Sequence, residues 1–204
     1  MKLSLGIFGG TFNPVHTAHL IIAETVRDRL RLDKVLFIPS PRPPHKQEDE
    51  MLPFEHRFRM TQLAIAGNES FECSDVENSH KGLSYTVTTL GLLKTHYPEA
   101  EFFLIIGADS LVQLSTWRQP DEIVRLATLA VYPREGFNPA DAEKRFRNRS
   151  VILDIPMISI SSSDIRKRIH AGESIRYMAP DPVIAYMQEH NLYNINQTVR
   201  RTER

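Results

Sequence analysis

The chain is poor in the groups that would announce several common functions. It has one cysteine, Cys73, so no disulfide can close within it, and a reducing compartment fits. No motif around Cys73 marks it as a nucleophile. Lysine plus arginine and aspartate plus glutamate each total 25. The net charge is therefore zero, and nothing calls for a nucleic-acid or membrane partner. No apolar run approaches the roughly 20 residues of a membrane-spanning helix. The first residues read as a strand and not as a signal peptide, so a cytoplasmic protein is expected. Neither a Walker A loop nor G-x-G-x-x-G is present. G-x-S-x-G is missing too, and with it one signature of a serine nucleophile.

What remains is an ordinary globular composition, 41% hydrophobic and 25% charged. The length suits one domain over residues 1–196, followed by a flexible tail at 197–204. Buried strands are expected at Leu3 to Phe8, Lys34 to Pro39, Phe71 to Ser74, Glu101 to Gly107, Leu129 to Tyr132 and Val151 to Asp154. Helices are expected between them. The first runs from Thr17 to Arg31 with an apolar stripe of Leu20, Ile21, Val26 and Leu30. Others cover Phe54 to Ala66, Ser84 to His96 with Ser84 as N-cap, Ser110 to Leu114, Pro120 to Leu126 and Ala140 to Arg147. Two more, Ser161 to His170 and Pro182 to His190, close the chain. Ser40 to Pro53, rich in proline and charge, reads as a long functional loop that closes over a ligand. Strands alternating with helices imply a doubly wound, mostly parallel α/β sheet. Ligands in such sheets bind beyond the carboxyl ends of the strands, at the switch point.

The stretch Leu3 to Leu20 organises the rest. It reads as a strand, a turn at Gly9-Gly10 and a helix opening near Thr17, with His16 and His19 where the helix begins. Backbone N–H groups and a positive helix end directed at one spot suit a phosphate. Imidazoles there can donate hydrogen bonds to developing negative charge. By themselves the glycines fit a tight turn equally well, and the histidines fit core or capping roles. They are not a helical zinc pair, which needs i, i+4 spacing and an intervening glutamate.

Two distant motifs decide between these readings. Gly9-Gly-Thr-Phe-Asn-Pro-Val-His-Thr-Ala-His19 resembles the T/H-x-G-H signature of the nucleotidylyltransferase superfamily. Ile160-Ser-Ser-Ser-Asp-Ile-Arg166 resembles its I-S-S-T/S-x-I-R motif. Within that superfamily, nearly the whole chain, Lys2 to about Tyr193, is similar to the bacterial nicotinate-nucleotide adenylyltransferase family. Pro43-Pro-His-Lys46, His56-Arg57 with Met60, Tyr85-Thr86, Gly107-Ala-Asp109, Trp117 and Arg134 each match one of its motifs. Two positions depart: Ala18 stands where the signature has glycine, and Asn13 where aspartate is commoner. An asparagine side-chain oxygen can orient the loop as aspartate does.

The resemblance implies a Rossmann-like nucleotidylyltransferase fold and adenylyl transfer from ATP to nicotinate mononucleotide. The products would be nicotinate adenine dinucleotide and pyrophosphate. The implied catalytic set is His16, His19, Lys46 and Arg166. Gly9, Gly10, Thr11, Phe12, Ser161, Ser162 and Arg134 would bind ATP and its phosphates. Thr86, Gly107, Asp109, Trp117 and Arg118 would bind the nicotinate nucleotide, with Asp109 on ribose hydroxyls and Trp117 stacked on the pyridine ring. Ser161 serves as helix cap and phosphate clamp together. Mg²⁺ would arrive on the triphosphate, with no dedicated protein site. The expected partners are these two substrates; the oligomeric state, monomer or homo-oligomer, is open. The nearest alternatives are an acceptor with the amide in place of the acid, another phosphate acceptor, or a non-catalytic nucleotide-binding regulator. A class I tRNA synthetase fragment is disfavoured by the short chain and its neutral charge.

Overall fold

The computed structural model describes residues 2–44, 51–78 and 82–195. His45 and Lys46 of the Pro-Pro-His-Lys loop lie outside the described residues, as does the expected tail at 197–204. Six strands form one sheet: β1 (Ser4–Gly10), β2 (Lys34–Pro39), β3 (Phe71–Cys73), β4 (Glu101–Gly107), β5 (Thr128–Tyr132) and β6 (Ser150–Ile152). Their spatial order is β3-β2-β1-β4-β5-β6, and every pairing is parallel. The expected mostly parallel sheet is thus parallel throughout. The order reverses between β1 and β4, so the crevice at their carboxyl ends is the topological switch point.

Helices cover both faces. Strands buried on both sides carry apolar residues at consecutive positions, and alternate residues feed opposite cores. Leu5 and Ile7 of β1, with Phe102, Leu104 and Ile106 of β4, pack on one face. There they meet Leu90 and Leu93 of α3 (Thr86–His96), Ala108 and Leu111 of α4 (Ala108–Val112), Ile123 of α5 (Pro120–Leu126) and Phe146 of α6 (Lys144–Arg147). Phe8 of β1 and Ile105 of β4 pack on the other. Their partners include Ile22 and Val26 of α1 (Thr17–Leu30), Met60 of α2 (Phe54–Ile65), Ile165 of α7 (Ser162–Ala171) and Val183 of α8 (Asp181–Glu189). No helix among the described residues is long and apolar enough to cross a membrane.

Several local expectations change. The turn does not fall at Gly9-Gly10, which are the last residues of β1; the chain turns over residues 11–16. There Phe12 takes φ 47° and the Asn13–Pro14 bond is cis. α1 buries Ala18, Ile22, Ala23 and Val26, while Ile21 is exposed. α3 begins at Thr86 behind an extended Tyr85, and Ser84 is not its cap. The Ser84 hydroxyl instead accepts a hydrogen bond from the Arg42 N–H. The helix expected over Ala140 to Arg147 is broken by an extended Ala142, which the protein buries. A 3-10 turn, Pro139–Asp141, precedes it and α6 follows.

Candidate functional site

The site is built at the carboxyl ends of β1 and β4. Gly10 is needed for contact and not for a turn: a β-carbon there would press on the Phe12 ring. At Gly9 a β-carbon would meet nothing, so the backbone is open to a close approach. The positive φ of Phe12 turns its side chain into the core, 2% exposed and edge-on to His19 with ring centroids 4.9 Å apart. Phe12 therefore supports a histidine with its side chain.

His16 is the N-cap residue of α1, and His19 lies one turn in. The His16 backbone N–H donates to Nδ1 of His19 at 3.2 Å, and the two rings stack with centroids 3.6 Å apart. Burial lowers the His16 pKa to about 4, helped by the nearby Arg134 guanidinium. Burial also holds His19 well below the ordinary histidine range, with His16 and Arg134 adding to it. Both rings are therefore neutral at pH 7. Because Nδ1 of His19 accepts, its proton sits on Nε2, which is left as a donor. The Nδ1 of His16 is buried and has no hydrogen-bond partner among the described residues.

Asn13 joins this loop to the far end of the chain. Its side-chain oxygen accepts from the Tyr193 hydroxyl at 2.6 Å, and its carbonyl accepts from Arg166 at 2.8 Å. The oxygen that asparagine shares with aspartate is thus the atom in use. Ser162 donates to the Pro14 carbonyl at 2.8 Å, and Ser161 caps α7 by accepting from the Asp164 N–H. The two sequence motifs meet: α7 opens against the 11–16 turn, with Arg166 across the join.

Arg57, in the His56-Arg57 motif, has a task that its sequence context does not give it. It is 1% exposed and donates to the carbonyls of Leu52, Thr11, Ser40 and Pro41. It ties Thr11, just past β1, to residues 40–41 and to Leu52. Its sequence signals are that motif and its place as a polar residue on the buried face of α2.

A cavity of about 810 Å³ opens beside Gly9, Gly10 and Thr11. Its lining includes Tyr85, Thr86, Trp117 and Arg118, whereas Gly107 and Asp109, also expected on the nicotinate nucleotide, are not part of it. The Arg118 guanidinium lies over the Tyr85 ring, 4.7 Å from its centroid. A second recess of about 280 Å³ is lined by Asp109, Arg134 and Ser161. Asp109 follows β4 and Arg134 follows β5, with 3.8 Å between carboxylate and guanidinium. Gly107 makes that pairing feasible, since a β-carbon there would strike both side chains. Asp109 therefore lies in the Arg134 recess and not with Thr86, Trp117 and Arg118, the residues it was grouped with by resemblance. Glu77, in the wall of the larger cavity, was not anticipated. Cys73 is half-buried, and burial pushes its thiol up to about 12, so no thiolate is available for nucleophilic work.

The cytidylyltransferase-like family model matches residues 7–168. The probable nicotinate-nucleotide adenylyltransferase of Salinibacter ruber is 44% identical over 191 residues, covering 94% of this chain and 98% of that protein. The one from Thermomicrobium roseum is 42% identical over 204 residues, covering 97% and 95%. Among solved structures, Plasmodium falciparum nicotinic acid mononucleotide adenylyltransferase complexed with NaAD superposes with a TM-score of 0.80. That match covers 96% of this chain and all of the other at 21% identity, a likeness of fold.

Proposed function

Since the chain belongs to the cytidylyltransferase-like family and, within it, to the nicotinate-nucleotide adenylyltransferases, we propose that it transfers the adenylyl group of ATP to nicotinate mononucleotide. The products are nicotinate adenine dinucleotide and pyrophosphate, a step of NAD biosynthesis. The observation that carries this reading is the chamber at the switch point. It runs from the Gly9-Gly10-Thr11 backbone to Thr86, Trp117 and Arg118, with two neutral histidines at the adjacent helix start.

A 5′-phosphate monoester is already anionic at neutral pH, so it attacks the α-phosphorus of ATP without a general base. A new P–O bond forms, the bond to the β-phosphate bridging oxygen breaks, and pyrophosphate leaves with the electron pair. The protein's task is positioning and charge stabilisation. Nε2–H of His19 and the His16 ring donate to oxygens of the α- and β-phosphates. Ser161, Ser162, Arg166 and Lys46 hold the triphosphate, and Arg134 lies on the adenosine side. Asp109 accepts from ribose hydroxyls, and Trp117 stacks on the pyridine. Mg²⁺ would arrive on the triphosphate, held by its oxygens and water, and would supply positive charge to offset the leaving pyrophosphate.

Pyrophosphate release with ATP and Mg²⁺ tests this, comparing nicotinic with nicotinamide mononucleotide. A preference for the acid is expected. Equal rates or an amide preference would overturn the acceptor and keep the phosphate chemistry. No release with either would leave a nucleotide-binding regulator.

A further inference from the structure

Glu77 is a carboxyl group in the wall of the 810 Å³ chamber to which the reaction assigns nothing. It sits where three segments converge. From α3, the Thr89 hydroxyl donates to its Oε1 at 2.5 Å. From the end of β2 and from the run before α3, the hydroxyls of Ser40 and Ser84 stand beside it and favour its ionised form. Burial acts the other way and is the larger effect, so the carboxyl is raised above the ordinary range. Its Oε2 is buried without a hydrogen-bond partner among the described residues. An orphaned buried carboxylate oxygen is costly, which agrees with the raised pKa. Ser40 and Ser84 are themselves fixed. The Ser40 carbonyl accepts from Arg57, and Ser84 exchanges two hydrogen bonds with Arg42 through N–H to carbonyl at 2.9 Å and N–H to hydroxyl at 3.3 Å. Tyr85 and Thr86 follow directly on Ser84 and form the pyridine-side wall.

We propose that Glu77 is a positioning residue of the pyridine-nucleotide chamber: through Thr89 it braces the first turns of α3 against the end of β2 and so sets mononucleotide affinity without touching the ligand. The proposal rests on reading this chamber as the mononucleotide site. The adenosine recess is lined by Asp109, Arg134 and Ser161, on other elements, so ATP binding does not depend on the brace.

The test is titration calorimetry of nicotinate mononucleotide and, separately, of Mg²⁺–ATP with wild type, Glu77→Ala, Glu77→Gln and Thr89→Val. Thermal melting of each variant runs alongside. Glu77→Ala is expected to weaken mononucleotide binding about tenfold or more, the scale of a displaced wall, with ATP binding within about twofold. Glu77→Gln keeps an acceptor for Thr89 and stays close to wild type. Thr89→Val removes the donor, is the milder cut if Glu77→Ala does not fold, and reproduces the selective loss. Unchanged mononucleotide binding in Thr89→Val, an equal loss for both ligands, or a Glu77→Gln defect as large as that of Glu77→Ala would overturn the role. Wild type that releases pyrophosphate while the variants bind normally sinks the brace alone. Wild type that neither binds nor turns over the mononucleotide sinks the function and the brace together.

Discussion

The His16 backbone N–H donates to Nδ1 of His19 at 3.2 Å while the two rings stack 3.6 Å apart. One bond therefore caps a helix and sets the tautomer of the imidazole that the proposed reaction uses. Burial keeps the ring neutral, so it acts as a hydrogen-bond donor and not as a fixed cation. A donor aimed at charge that appears only in the transition state lowers the barrier more than one satisfied in the ground state.

His19→Asn separates the two tasks. The asparagine oxygen reaches the Nδ1 position and keeps the cap, but nothing replaces Nε2–H. We expect kcat to fall by roughly 10²–10³ with the melting temperature little changed. His19→Gln, whose amide reaches the Nε2 position, is expected to retain more activity than His19→Asn. Steady-state pyrophosphate assays read both, and a near-normal kcat in His19→Asn would remove the role.

The same burial makes the fold sensitive to acid. His16 titrates at about 4 in the folded chain against an ordinary 6.5. The unfolded chain then binds more protons throughout that interval, so stability is full above about pH 6.5 and falls as pH drops toward 4. The loss from this one group approaches about 3 kcal/mol below pH 4, and His19 shifts in the same direction. Urea unfolding between pH 7.5 and 4.5 should show that slope, and His16→Asn should flatten it. An identical slope in the variant would show that the acid sensitivity lies elsewhere.

Much of this site was legible because its chemistry is carried by short, adjacent runs. The apolar strand ending at Gly9-Gly10, the histidines near Thr17 and the serine run at Ser161 each announce their element by local pattern. Their meeting, through Ser162 on Pro14 and Arg166 on Asn13, was legible only from the resemblance, since no local rule joins residues about 150 apart. Periodicity sees apolar residues, so it missed Arg57, a cation solvated by four carbonyls inside the core, and Glu77. It also placed the N-cap of α3 one residue early. Ser84 is a good capping residue by type, but its hydroxyl is already engaged by the Arg42 N–H. Ile21 was read into the buried stripe of α1 because it is apolar, yet the stripe follows Ala18, Ile22 and Val26.

Gly107 gives a third test. It ends β4, and a β-carbon there would run into both the Asp109 carboxylate and the Arg134 side chain. Gly107→Ala must displace one or both, since the backbone is held by the β5 register. Overpacking of this kind costs about 1–3 kcal/mol. The activity change should be selective, because the displaced pair lines the recess that the proposed reaction gives to adenosine: KM for ATP rises while KM for the mononucleotide holds. Equal shifts in both constants would argue that the alanine loosens the whole sheet end.

Tyr193 tests how the phosphate loop is tied to the end of the chain. Its hydroxyl donates to the Asn13 side-chain oxygen at 2.6 Å, and Asn13 is 2% exposed. Tyr193→Phe removes that donor and leaves the Leu52 N–H, at 3.4 Å, on the same oxygen. The acceptor is then weakly satisfied, so stability should fall by about 1–2 kcal/mol. The Arg166 bond to the Asn13 carbonyl survives the change, so kcat should fall less than about tenfold. Asn13→Ala is the harsher cut, since it removes the acceptor of both the half-buried Tyr193 hydroxyl and the Leu52 N–H. Its stability loss should exceed that of Tyr193→Phe, and the double variant should lose less than the sum, because the two share one bond. Additive losses in a denaturant-unfolding cycle would mean that Tyr193 stabilises the fold through its ring packing and not through Asn13.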